Sequence, residues 1–268
     1  MQAVVTDDAA VGSAPATEPR AGLLDDVKDE LHWTFSGRKG WLLGMLFNLL
    51  VAIVVIGYQR YDPHVSGDIK IANIGIAVVV YVLAGTLATN QLGADAERVI
   101  NSVERGDRVS RILAIKNVSL AVMLIPVALL VSVVVRILVD RWRLMPNTAL
   151  YDIAGVFVWL GLGNLISVML PYRPISLRAR LKARWTWLRW GLRQAVPYVL
   201  YYLGAPLLLT FPAVIIHVLK VFGRRDSLWY PLVSLATALV GWQVGLWLAS
   251  VWAERHRRRF EAELRRPV

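Results

Sequence analysis

The sequence predicts an all-α integral membrane protein with six transmembrane helices, and three observations carry that expectation. Of its 268 residues, 56% are apolar, 11 are Trp and only 18% are charged. Mean hydropathy is +0.50, too oily for a water-soluble chain of this length. The charges also cluster between long uncharged runs instead of spreading along the chain, the pattern of a polypeptide that crosses a bilayer repeatedly. There is no Cys, which excludes disulfides, thiolate catalysis and Cys-ligated metal centres.

Residues 1–20 contain Asp7, Asp8 and Glu18, lack a basic start and an apolar core, and are expected to be a disordered cytoplasmic tail, not a cleaved signal. From Leu23 to Phe35, Leu24, Val27, Leu31 and Phe35 recur at helical spacing. Asp25, Asp26, Lys28, Asp29 and Glu30 take the other face, so an amphipathic helix lying on the membrane surface is expected. A hydrocarbon slab of about 30 Å takes roughly 20 apolar residues of helix. Six runs qualify: Trp41–Tyr58, Ile71–Gln91, Asn117–Val139, Leu150–Leu170, Ala195–Leu219 and Trp229–Trp252. The six-span domain, with its amphipathic entry helix, is placed at 21–253, and a basic cytoplasmic tail at 254–268.

Basic residues set the orientation. The amino-terminal region, the second-to-third and fourth-to-fifth connections and the carboxyl-terminal tail together hold 22 Lys and Arg, against 8 in the other three connections. By the positive-inside rule both termini are expected in the cytoplasm. Arg255, Arg257, Arg258 and Arg259 are then expected beside anionic lipid headgroups, which accounts for the net charge of +11 without nucleic acid. The basic, Trp-rich helix expected over Ile175–Arg193 is read in the same headgroup layer.

The chemistry that the chain lacks narrows its function. It has no phosphate-binding Gly-x-x-x-x-Gly-Lys-Ser/Thr loop, and His32, His64, His217 and His256 have no metal-ligand spacing. No catalytic residue, cofactor site or metal site is expected. Asp62, His64 and Asp68 share a loop rich in Pro and Gly that reads as a tight turn. Asp152 is expected in the first turn of the fourth span, near the outer surface, and Arg136 and Asp140 at the outer end of the third; no ionisable group is expected at membrane depth. The neutral amides Asn48, Asn73, Asn164 and Gln243 are candidate pathway-lining residues, with interhelical hydrogen bonding as the alternative. Pro126, Pro206 and Pro212 are expected to kink or interrupt their spans.

The second-to-third connection is the most informative stretch. Asp95 and Glu97 favour a helix start, Gly106 favours a stop, and a short helix is expected from about Ala94 to Arg105. Val99, Ile100 and Val103 make a small apolar face ringed by charge, suited to fill a groove on another protein. With Asn90, Leu92, Gly93 and Asp95 before this helix, and Lys116-Asn117, Leu120-Ala121 and Pro126 after it, the chain resembles the type-2 permease subunits of ABC exporters, particularly actinobacterial ones.

That resemblance implies a bacterial plasma (inner) membrane protein with an entry helix before six spans and a cytoplasmic coupling helix between spans two and three. It implies a partner ABC ATPase subunit that carries the ATP and Mg, docked through Glu97, Arg98, Val99, Ile100, Val103, Glu104 and Arg105, and a second permease subunit, identical or related, completing the pathway. This chain would be a transport subunit, not an enzyme, in contact with membrane lipids. An ion-coupled carrier or channel and a membrane-embedded lipid-modifying enzyme are the alternative readings.

Overall fold

The computed structural model describes residues 22–36, 88, 90–139, 143, 145–171, 199 and 228–265. These residues form helices α1 (Leu23–Ser36), α2 (Ala96–Glu104), α3 (Val109–Val139), α4 (Met145–Met169), α5 (Trp229–Arg255) and α6 (Arg257–Arg265), with no strand among them. Three helical stretches, Val109–Leu130, Met145–Met169 and Trp229–Arg255, are long and apolar enough to cross a membrane, which marks the chain as a membrane protein. They correspond to the expected third, fourth and sixth spans. Trp41–Tyr58, most of Ile71–Gln91, Ala195–Leu219 and the helix expected over Ile175–Arg193 lie outside the described residues, as do Pro206, Pro212 and the loop holding Asp62, His64 and Asp68.

α4 and α5 pack most intimately, because small residues let their backbones meet. A Cβ placed on Gly245 of α5 would sit 2.5 Å from the Gly161 carbonyl oxygen of α4, and one on Gly163 would overlap the carbonyl of Ala88. Neither neighbour can rotate away, since both are main chain. α3 joins this pair through Asn117, which is fully buried. Its Nδ2 donates to Leu113 O at 2.5 Å and to Asn164 Oδ1 at 2.6 Å, while its Oδ1 accepts from Trp242 Nε1 at 3.1 Å. One amide thus ties three apolar helices together where a hydrocarbon environment makes an unpaired polar group costly. α3 continues through Pro126 as one helix, so of the kink or interruption expected there the interruption does not occur.

Further along the same two helices, Ser132 and Arg136 on α3 face Asp152 and Thr148 on α4, each pair one turn apart. Ser132 Oγ donates to Asp152 Oδ2, and Arg136 Nε donates to Thr148 Oγ1 at 2.9 Å. One sequence expectation is corrected here. α4 starts at Met145, with Pro146 in its first turn where the missing N–H is harmless. Asp152 therefore lies about 10 Å along the axis and is only 1% exposed. Asp152 is thus a buried carboxylate in the third turn of a membrane-length helix, not in its first.

The tight Gly245–Gly161 approach predicts that Gly245→Ala lowers stability by about 1–3 kcal/mol, because overpacking against backbone cannot be relieved by a rotamer change. Chemical unfolding of the detergent-solubilised protein measures it, with Gly106→Ala as a control whose penalty is confined to the turn.

Candidate functional site

At one end of the bundle α2 forms a short elbow, and its position follows from local chemistry. Asp95 occupies its N-cap but makes no capping bond. Its carboxylate is drawn instead to Lys116 Nζ at 2.6 Å. The helix closes as a Schellman turn, with Gly106 N donating to Val103 O at 3.0 Å and Asp107 N to Ser102 O at 3.0 Å. Gly106 takes a φ of +88°, which a residue with a Cβ adopts only under strain.

Ala96, Val99, Ile100 and Val103 fall at helical spacing on one face, and all four are buried. They join Leu92, Val109, Ile112 and Leu113 on the flanking segments, Ala249 and Ala253 of α5, and Phe260 and Leu264 of α6 in a single apolar cluster. This corrects the sequence reading of Val99, Ile100 and Val103 as a face open to a partner: the chain's own carboxyl-terminal helix covers them. Phe260 is fully buried and Leu264 nearly so, while Arg258 and Arg259 face outward. α6 therefore turns its apolar side to the protein and not to lipid, so the segment expected as a basic tail is a folded brace. Its placement is fixed by Arg257 Nη2, which donates to Val103 O at 2.9 Å, and by Arg265, which pairs with Glu104 at 2.5 Å. The latter pair is more than half exposed and adds little energy.

α1 holds the other side of the elbow through charge. Glu30, 7% exposed, places Oε2 2.7 Å from Arg98 of α2 and Oε1 2.8 Å from Lys116 of α3. Asp26 pairs with Arg111 at 2.7 Å, and the Arg98 guanidinium lies 5.3 Å above the Trp33 ring. With Asp95, three carboxylates meet three cations, so the cluster is electrically balanced. A groove of about 310 Å³ between α1, α2 and α3 is lined by Asp26, Glu30, Arg98, Arg111 and Lys116 together with Asp29, Ser102, Arg105 and Asp107. The stripe expected on α1 is split: Val27 packs inward with Asp26 and Glu30, whereas Leu24 and Phe35 are exposed, as are Leu23 and Trp33 beside them.

Burial pushes the Asp95 carboxyl above its ordinary value, against the opposing pull of Lys116 and Arg98. Among the described residues, no group of His, Asp and Glu has metal-binding geometry.

Of the residues singled out for partner contact, Glu97, Glu104 and Arg105 are exposed, Arg98 is half-buried by Glu30 and Trp33, and Val99, Ile100 and Val103 are internal. Asn48 and Asn73 lie outside the described residues. Asn164 is fully buried in the α3–α4–α5 junction, where its Oδ1 accepts from Asn117, and Gln243 is an exposed residue of α5. Sequence reasoning missed Glu30, Lys116, Phe260 and Leu264. The i, i+4 apolar pair in the basic tail was the available signal for the last two; the opposed charges of α1 and α3 carry no local signature. No family model, curated protein or solved structure matches this chain.

Four outcomes are expected. Val99→Asp strands a charge in the apolar cluster and should prevent folding, read as aggregation in size-exclusion chromatography, whereas Phe260→Ala should cost about 3–5 kcal/mol. Glu30→Ala leaves Lys116 and Arg98 short of a partner and should cost somewhat less than the about 3–5 kcal/mol of a fully buried pair, because Arg98 is 40% exposed. A carboxyl with a raised folded pKa contributes stability that is fully present below its unfolded value and is lost as pH rises through the folded one. The melting temperature of Asp95→Asn relative to wild type should therefore increase from pH 4 to pH 7; a decrease would mean that Lys116 outweighs burial.

Proposed function

We propose that this chain is the transmembrane permease subunit of an ATP-driven ABC exporter, worked by a separate ATPase subunit that docks on the α2 elbow. The observation that carries the reading is mechanical. α2 is a short helix held on three sides: by apolar packing on α5 and α6, by the Glu30–Arg98 pair to α1, and by the Asp95–Lys116 pair to α3. Force applied to such an element passes to the membrane-length helices instead of being absorbed by a yielding loop. The docking surface is then the charged ridge of Glu97, Asn101, Glu104 and Arg105, all exposed. The apolar residues beneath it transmit load and do not touch the partner.

In this reading α1 lies at the cytoplasmic membrane surface, with Leu24, Trp33 and Phe35 toward lipid and Asp26 and Glu30 toward the protein. ATP-driven closure of two ATPase subunits pushes the elbows of two permease subunits. The tilt of α3 through Lys116 and of α5 through Ala249 and Ala253 alternates access to the pathway. The buried Asp152 favours one other reading, an ion-coupled carrier, because a carboxylate kept at membrane depth is a common coupling group.

The test is purification of the chain from its own membranes in mild detergent. A soluble subunit bearing a phosphate-loop motif should co-purify, and its ATP turnover should rise in the complex. Glu97→Lys combined with Arg105→Glu should lower its recovery at least tenfold while leaving the melting temperature unchanged. Transport by the chain alone in proteoliposomes, abolished by Asp152→Asn, would replace this reading with the ion-coupled one.

A further inference from the structure

The elbow has a fourth attachment, made just before α2 begins and directed at α4. Near the end of the second expected span, Ala88 lies so close to Gly163 of α4 that a Cβ on Gly163 would overlap the Ala88 carbonyl. Three residues on, the Gln91 backbone N–H donates to Ser167 Oγ at 3.0 Å, and Ser167 is fully buried. Leu92, fully buried as well, shares the elbow's apolar cluster with Val168. Gly163 and Ser167 are four residues apart, one above the other on the same side of α4. Each of these contacts is made between two described residues.

The link from this attachment to the elbow is short and hydrogen-bonded. Gln91 Nε2 donates to Ala88 O at 3.0 Å, Ala94 N to Asn90 O at 3.1 Å, and Val99 N to Asp95 O at 3.0 Å. Only Gly93, Ala94 and Asp95 separate Leu92 from the first residue of α2. Segment 90–95 is therefore a strut, not a slack loop.

The attachments differ in stiffness. Arg98 and Lys116 reach their carboxylates on long side chains, whose rotatable bonds let a pair tilt before it breaks. At Gly163 main chain meets main chain, and no change of rotamer can absorb a push. The Ser167 bond pins the same segment one turn further along α4. A displacement of the elbow is delivered to α4 with the least give.

We propose that α4 is the lever of this molecule: segment 90–95 locks the elbow to it, the two move as one body, and Gly163 and Ser167 are the positioning residues of the lock. The lever role rests on the permease reading, whereas the lock itself does not.

Hydrogen exchange read by mass spectrometry on the detergent-solubilised chain tests the lock without an ATPase. Ser167→Ala removes the acceptor of the Gln91 N–H and should speed exchange in peptides covering 90–105 by about tenfold, the effect of losing one buried hydrogen bond. Ser250→Ala is the control, because that buried hydroxyl donates to Leu246 O within its own helix, and it should leave those peptides unchanged. In the complex, Ser167→Ala should keep recovery of the ATPase at the wild-type level while the rise in ATP turnover falls severalfold; Ser250→Ala should alter neither. Unchanged exchange in Ser167→Ala, or an equal change in Ser250→Ala, would overturn the lock. Faster exchange with ATP stimulation intact would overturn the lever role and leave the permease reading standing. Wild-type chain that recovers no ATPase would overturn that reading and the lever role together, with the lock still decided by exchange.

Discussion

Glu30 is the constraint on which the α2 end of this molecule depends. One carboxylate, almost removed from solvent, reaches Arg98 on the elbow and Lys116 on the longest helix, so three elements distant in sequence are held by a single side chain. Ion pairs in water are weak because solvent competes for each partner. Here Lys116 and Glu30 are both nearly enclosed, and a second N–H of the Lys116 ammonium is taken up by Asp95. The desolvation cost of each charge is offset only while all partners are in place, so the three elements behave as one unit.

The elbow is secured differently on its other side. Phe260 and Leu264 close an apolar pocket whose floor is Val99, Ile100 and Val103, and this contact depends on shape and area, with little role for charge. The two modes divide the labour. Charge pairing fixes direction and register between α1 and α2, while apolar burial supplies cohesion between α2, α5 and α6. A short helix of nine residues could not hold its shape alone in water, and its rigidity is borrowed from these two contacts.

Polarity within the membrane-length helices follows a related logic. Asn117 is satisfied by Leu113, Asn164 and Trp242, and Asp152 shares a ladder with Ser132 beside Arg136 and Thr148. Both clusters lie in seams between helices.

The sequence by itself determined the helical membrane class, the places of three spans and the bounds of the elbow. Hydropathy, caps and Gly106 are local properties, written within a few residues of the feature they specify. It also marked Glu97, Glu104 and Arg105 as surface groups. Which side of the elbow would be covered was a different matter. A charged ring around Val99, Ile100 and Val103 reads equally as a docking knob and as one wall of a core, because the covering residues Phe260 and Leu264 lie more than 150 positions away. The place of Asp152 along α4 depended on where that helix begins, and the inward turn of Asp26 and Glu30 on α1 depended on Arg98, Arg111 and Lys116. Only the tertiary structure decided these points, since burial and charge pairing are properties of neighbours in space, and a single chain records its neighbours only in order.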